Sequence, residues 1–226
     1  MLLANEEGRK HMKRSKKQWL TAAALLAAFG AWTLIVCTAD VRSIGPRGSS
    51  VGLSGLNRMF HDLTGVHFSL YILTDWLGLV PVFVGLGFAV FGLCQWIKRK
   101  SIRKVDGDIL LLGGFYLVML AAYLIFEEYP VNYRPVLIDG YLEASYPSST
   151  TLLVLCVMPT ALMQCRTRLQ RPVLWKITAV LIMAFTIFMV AGRLISGVHW
   201  LSDIIGGVLL SAGLVKGYAA LAFPKA

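Results

Sequence analysis

The sequence predicts an all-α protein whose six helices cross a membrane. Hydrophobic residues make up 57% of its 226 positions, and a mean hydropathy of +0.66 excludes an ordinary soluble domain. Apolar runs long enough to span a bilayer also recur along the chain. They cover residues 19–37, about 70–96, 109–126, about 148–163, 173–190 and 204–221.

The second and fourth of these spans are irregular. The second is longer than a bilayer requires and contains Asp75 and Pro81, and the fourth is short, with Pro159 near its end. We therefore expect these two helices to depart most from the predicted boundaries.

The connection between the first two spans is rich in glycine and serine. Its apolar residues have helix-like spacing and are Leu53, Leu56, Phe60 and Leu63. This pattern predicts a short helix lying in the outer membrane interface. His61 and His67 are assigned interfacial or capping roles there.

The formal net charge of +10 indicates a membrane topology rather than nucleic-acid binding, because the basic residues are clustered. They precede the first span, fill the connection 98–108, surround the connection after the fourth span, and include Lys225 at the chain end. By the positive-inside rule these segments face the cytoplasm. The prediction is a multi-pass cell-membrane protein of the bacterial cytoplasmic type, with a basic cytoplasmic tail at 1–18 and a membrane domain at 19–226.

The segment GRLISGVHWLSD places Arg193, His199 and Asp203 at the mouth of an apolar span. Ionisable groups beside a bilayer are costly and often functional. If the chain is helical there, Asp203 can hold one imidazole nitrogen of His199 and leave the other free to attack. Arg193 supplies a planar fork suited to phosphate oxygens. A capping aspartate, an interfacial histidine and a snorkelling arginine would explain the same residues without chemistry.

The connection between the third and fourth spans is long enough to suggest a functional loop. In it, Arg134 precedes a proline that fixes the local backbone. Ser148, Ser149 and Thr150 follow a second proline and open the fourth helix, where free N–H groups and hydroxyls can bind an anion. A proline-serine helix start also occurs without any ligand.

The charge rule places both connections on the external face, so their polar residues can form one site. Two arginines, a helix N-terminus and an oriented histidine suit the binding and attack of a phosphoryl group. We expect no cofactor, and no metal, because His199 and Asp203 are too few ligands. The cysteines form no C-x-x-C pair and are interpreted as small apolar side chains. They are Cys37, Cys94, Cys156 and Cys165.

These motifs resemble the type 2 phosphatidic acid phosphatase (PAP2) superfamily, whose signature is K-x6-RP, PSGH and SR-x5-H-x3-D. The third motif is complete except for its first serine, which is Gly192 here. The first survives as Arg134-Pro135, and the second survives as Pro147-Ser148. The resemblance implies a PAP2/haloperoxidase-like helical core with six spans.

The resemblance also implies residue roles. The histidine matching His199 attacks phosphorus and becomes a phosphohistidine, and the aspartate matching Asp203 orients that histidine. The implied phosphate-binding positions are Arg134, Ser148, Ser149, Thr150 and Arg193.

Two positions depart from the family pattern. The lysine of the first motif is Glu127 here, and the second histidine, which protonates the leaving group, is Thr150. A threonine hydroxyl is not a strong acid, and a general acid contributes about 10²–10⁴ in rate. One interpretation is a lipid diphosphate substrate, whose departing phosphate needs no proton. The other is a substitute acid, and the candidates are Glu127, Glu128, Asp139 and Glu143.

The leading hypothesis is a membrane lipid phosphatase acting at the outer face. Its substrate would be a lipid phosphate or diphosphate of the phosphatidate, phosphatidylglycerophosphate or polyprenyl diphosphate type. Its partners would be that lipid and the bilayer, and we expect no nucleic-acid partner. A second hypothesis, which both replaced positions favour, is a PAP2-like protein that binds or transports phosphorylated lipids. A third is an intramembrane serine protease using Ser196 and His199, although the G-x-S-G context is missing.

Overall fold

The computed structural model describes residues 2–224, with side chains described from Ser15 onward. The α-helices of this part of the chain are α1 Leu2–Thr38, α2 Ser54–Thr64, α3 Phe68–Leu77, α4 Leu79–Arg99, α5 Gly107–Glu128, α6 Ser149–Arg168, α7 Pro172–Ile195 and α8 Leu201–Ala222. Among the described residues, extended pairing is limited to isolated bridges in the connections. The all-α prediction is confirmed.

Six segments of the described chain are long and apolar enough to cross a membrane. They are Ser15–Thr38, Phe68–Arg99, Gly107–Glu128, Ser149–Arg168, Pro172–Ile195 and Leu201–Ala222. The predicted number of spans is therefore confirmed. The basic tail residues up to Arg14, and Lys225, lie outside the residues whose side chains are described.

The second and fourth spans depart from their predicted boundaries. The second is divided into α3 and α4 at Gly78. Pro81 follows closely, and its ring nitrogen cannot donate to the carbonyl of Leu77, which weakens the helix at this point. The fourth continues to Arg168, because Pro159 is accommodated inside α6 instead of ending it. The short helix predicted in the first connection is present as α2.

The core lies between the last helices of the chain. Helices α6 and α8 are the most deeply buried spans, and α8 packs mainly against α1 and α6. The main core cluster joins α5, α6 and α8 through Leu112, Phe115, Leu152, Cys156, Leu210, Val215 and Tyr218. Glycine permits close packing here: a Cβ on Gly206 would lie 2.6 Å from the Tyr146 ring. The loop before α6 can therefore lie directly on α8.

Charged residues of the two basic connections meet at the end of the bundle opposite the start of α6. Arg168 Nη2 lies 2.9 Å from Asp108 Oδ2, and Arg99 Nη1 lies 2.8 Å from Asp106 Oδ1. The opposite end contains the C-termini of α5 and α7 and the N-termini of α6 and α8. The two motif-bearing connections thus share one end of the molecule.

Candidate active site

The connection before α6 and the connection before α8 lie against each other. The Ser148 amide donates to the Asp203 carbonyl at 3.1 Å, and Trp200 Nε1 donates to the Tyr133 carbonyl at 2.7 Å. A left-handed turn at Gly197, with φ of 69°, leads the chain from α7 into α8. This turn brings the third sequence motif to the start of α6.

His199 is buried between two polar partners. Its Nε2 lies 3.0 Å from Arg193 Nη2, and its Nδ1 lies 3.0 Å from Ser145 Oγ. Ser145 Oγ in turn donates to Asp203 Oδ2 at 2.5 Å. Ser145 therefore links the imidazole to the carboxylate.

The predicted direct contact between His199 and Asp203 is wrong. That expectation assumed one helix across both residues, but α8 begins only at Leu201. His199 therefore lies in the preceding turn, and Ser145 occupies the space between the two side chains. Asp203 reaches the imidazole only through the serine hydroxyl.

The hydrogen-bond chemistry fixes the tautomer of His199. A guanidinium only donates and a carboxylate only accepts. Arg193 must therefore donate to Nε2, so the imidazole proton is on Nδ1 and is donated to Ser145 Oγ. The Ser145 hydroxyl proton is then donated to Asp203. The nitrogen that faces Arg193 carries the free electron pair.

Asp203 is fully buried and accepts four hydrogen bonds. Oδ2 accepts from Ser145 and from the Trp200 amide at 3.0 Å, so that it also caps α8. Oδ1 accepts from Asn132 Nδ2 at 3.1 Å and from Ser202 Oγ at 3.2 Å. These hydrogen bonds hold the carboxylate rigidly. Asp203 therefore both caps α8 and orients His199 through Ser145.

Two buried arginines flank the histidine. The Arg193 side chain is 1% exposed. The Tyr71 ring lies beneath both guanidinium groups, with its centroid 4.9 Å from Arg193 Cζ and 5.7 Å from Arg134 Cζ. Tyr71 thus positions both cations on one ring.

Several donors at this site have no hydrogen-bond acceptor within the described protein. They are Nε and Nη1 of Arg193, Nε and Nη1 of Arg134, and Oγ of Ser148. Arg134 Nε lies 3.0 Å from Glu143 Oε2 but is not aligned for a hydrogen bond. Buried donors without acceptors are costly, so a cluster of them beside one imidazole indicates an anionic ligand.

The start of α6 adds backbone donors. Ser148 is the N-cap residue, and the first amides of the helix, from Ser149 onward, have no acceptor within the helix. The Ser148 amide itself is occupied by the Asp203 carbonyl. The helix start therefore favours an anion through Ser149, Thr150 and the Ser148 hydroxyl.

The electrostatic surroundings keep His199 neutral. Burial lowers the pKa of His199 well below its usual value, and the positive charges of Arg134 and Arg193 lower this pKa further. A neutral imidazole with its free pair on Nε2 is the nucleophilic form.

The acidic residues considered as substitutes for the general acid lie in different surroundings. Glu143 is paired with Arg134. Glu127, at the end of α5, and Asp139 are exposed. Asp75 is the charged residue inside the second span. It lies 3.6 Å from Arg193 and lines a cavity with Thr150.

The remaining predicted candidates have structural partners. Ser196 Oγ donates to the Arg193 carbonyl at 2.8 Å, while both nitrogens of His199 have other partners, so Ser196 and His199 are not paired. His67 Nε2 lies 2.9 Å from the Thr64 carbonyl, which fits a capping role. Among the described side chains, no three His, Cys, Asp or Glu residues form a group suited to a metal.

Sequence reasoning missed four residues of this site. Ser145 and Asn132 hold His199 and Asp203, Tyr71 supports the arginines, and Asp75 faces Arg193. The signal for Asp75 was a charge inside an apolar span. Ser145 stands three residues before Ser148, but a serine in a polar loop gives no distinguishing signal.

The fold and the site define a multi-pass helical membrane protein with a buried, positively charged site at one end of its bundle. The model of the PAP2 superfamily matches residues 125–225, which contain all three sequence motifs. This part of the chain is similar to the PAP2 superfamily.

A solved structure has the same fold. The chain is similar to the transmembrane PAP2-type phosphatidylglycerolphosphate phosphatase from Bacillus subtilis, with a TM-score of 0.60 and 17% identity. The similarity covers 90% of this chain and 95% of that one, which confirms the predicted fold. A comparison with curated proteins found no match.

Proposed function

We propose that the protein is a membrane lipid phosphatase that works through a phosphohistidine on His199. The observation that carries this proposal is a set of buried donors of Arg134, Arg193 and Ser148 that have no hydrogen-bond acceptor. Arg193 contacts the nucleophilic nitrogen, and Arg134 lies with it on the Tyr71 ring. A phosphoryl group offers three acceptor oxygens and negative charge, which match these donors. The match of residues 125–225 to the PAP2 superfamily supports the same chemistry.

The first chemical step follows from the resting hydrogen bonds. Arg193 Nη2 donates to the electron pair of His199 Nε2. A bound phosphate takes the Arg193 donors, and the pair on Nε2 becomes free. Nε2 then forms a bond to phosphorus as the bond to the leaving oxygen breaks, while both arginines stabilise the charge on the phosphoryl oxygens. Asp203, acting through Ser145, stabilises the positive charge that develops on the imidazole.

An amphipathic cavity supports a lipid as the substrate. It has a volume of about 360 Å³, and its lining residues with polar groups are Asp75, Tyr123, Ser149 and Thr150. Its walls are apolar and come from α4, α5 and α6, through Leu79, Met119, Leu120, Leu152 and Leu153. This arrangement suits a phosphorylated head group with a hydrocarbon chain.

In this proposal the substrate is a lipid diphosphate, and the leaving group of the first step is the lipid monophosphate. Thr150 stands where the family has its proton-donating histidine, and a departing phosphate, with a second pKa of about 6, leaves without a proton. The favoured substrate is therefore a lipid diphosphate of the polyprenyl type. The Bacillus subtilis neighbour is described as a phosphatidylglycerolphosphate phosphatase, which supports the monophosphate as the competing choice.

The proposed orientation places the site at the outer face. The described basic connections lie at the opposite end of the bundle, so the positive-inside rule puts them and both termini in the cytoplasm.

We expect the purified protein to release phosphate faster from a polyprenyl diphosphate than from phosphatidate or phosphatidylglycerophosphate. The difference should be on the order of 10²–10⁴ in kcat, the usual contribution of a general acid that only the monophosphates need. Phosphate release from the three lipids in matched micelles measures it. Equal or faster turnover of a monophosphate would contradict the diphosphate preference while leaving the phosphatase proposal intact.

Ser145→Ala should lower kcat by about 10²–10⁴ with little change in KM, because the imidazole loses its link to Asp203 and its fixed tautomer. Ser145→Thr retains a hydroxyl and should recover part of the rate. Ser196→Ala is the matched control, since that hydroxyl bonds only the Arg193 carbonyl, and it should retain activity. Unchanged kcat in the Ser145→Ala protein would show that the link has no part in turnover.

A further inference from the structure

Asp75 lies between the buried Arg193 and the cavity that contains Thr150. Its Oδ1 is 3.6 Å from Arg193 Nη1, longer than a hydrogen bond, and its side chain is 58% exposed. A carboxylate that only neutralised the buried guanidinium would be best placed in a close, bidentate contact. Asp75 instead lines the cavity while staying near the arginine.

The contact between the α3–α4 break and α6 explains this position. A Cβ on Gly78 would lie 3.7 Å from Thr150 Cγ2, so the break between α3 and α4 rests on the first turn of α6. Asp75, one turn before that break, lines the same cavity as Ser149 and Thr150. The fold therefore places a carboxylate beside the position where the family pattern has a histidine and this chain has a threonine.

The chemistry of a carboxylate limits the roles that Asp75 can have. A carboxylate accepts protons and cannot donate one, so the role considered for it is that of a base. Glu143 is paired with Arg134, and Glu127 is exposed and does not line this cavity. Asp75 is the acidic residue in the described lining of the cavity.

We propose that Asp75 is the general base that activates water in the second step of the reaction. This inference rests on the proposed phosphatase function. The water oxygen forms a bond to phosphorus as the phosphorus–nitrogen bond breaks, and the electron pair returns to His199 Nε2. Asp75 takes the proton of the water and then gives it to the departing phosphate or to bulk water. Together, the two steps convert a lipid diphosphate and water into a lipid monophosphate and inorganic phosphate.

The test uses the full chain and farnesyl diphosphate labelled radioactively at its terminal phosphorus. Asp75→Asn preserves the shape of the side chain but cannot take a proton. We expect this variant to release about one equivalent of farnesyl monophosphate and to accumulate acid-labile phosphoenzyme. Steady-state phosphate release should fall on the order of 10²–10⁴. Asp75→Glu, which restores a carboxylate, should recover part of the dephosphorylation rate.

Asp62→Asn is the matched control, because Asp62 is an exposed carboxylate on α2 that pairs with Arg58 at 3.9 Å. It should turn over like the wild type. If Asp75→Asn forms no phosphoenzyme, Asp75 only positions Arg193 and the inference is overturned. Ordinary turnover by Asp75→Asn beside an active wild type also overturns it, and leaves the proposed function standing. A wild type that neither releases phosphate nor forms phosphoenzyme overturns the proposed function and this inference with it.

Discussion

Phosphate release is expected to fall by about 10⁴–10⁶ when His199 is replaced by alanine, and no phosphoenzyme should form. The physical reason is the loss of the only atom that attacks phosphorus in the proposed mechanism. The donors of Arg134 and Ser148 remain, so the affinity for the lipid should change little. Stopped reactions that follow labelled phosphate, with lipid binding measured in parallel, separate these two effects.

His199→Gln is the companion variant, because it keeps polar atoms near Arg193 and Ser145 while removing the imidazole. It should be as inactive as the alanine variant and should melt at a temperature closer to that of the wild type. The alternative function, lipid binding or transport without turnover, makes a different prediction: the wild type itself would release no phosphate. Wild-type rates in either variant would exclude the phosphohistidine.

Arg193→Lys should lower kcat/KM by about 10²–10³, the usual loss when one preorganised donor to a developing charge is removed. Lysine retains the charge but lacks the planar fork that reaches both His199 and an anion. It also loses the stacked contact with Tyr71, whose centroid is 4.9 Å from Arg193 Cζ. Steady-state kinetics on the preferred lipid measures the change.

Arg58→Lys provides the control for this substitution, since Arg58 is an exposed arginine on α2. It should leave kcat/KM unchanged. A nearly active Arg193→Lys protein would mean that charge alone suffices at this position, and that the geometry of the guanidinium makes no contribution to the transition state.

The local arrangement of the site was only partly predictable. The spacing of His199 and Asp203 is four residues, and a helix across both would have joined them directly. The structure instead starts α8 at Leu201 and inserts Ser145 from another connection. A contact between residues 54 positions apart in sequence leaves no periodic signal.

Asp75 is a second site residue whose position could not be predicted from the sequence. Its charge inside an apolar span was visible in the sequence, where it indicated only an irregular second span. Only the packing of the break at Gly78 against Thr150 gives it a place beside the site. The substitute acids inferred from the loop sequence were chosen by nearness along the chain, which is a poor guide to nearness in space.

The amino-acid sequence alone determined the all-α class, the six spans and the connections that carry the motifs, because bilayer thickness and charge asymmetry act on long, local patterns. Tertiary structure decided which side chains hold His199, Asp203 and the two arginines. Asn132 and Ser145 come from the connection before α6, whereas Tyr71 and Asp75 come from α3, and their positions depend on how the helices pack. This packing depends on the shapes of side chains that meet across the bundle, so hydropathy and motif spacing do not predict it.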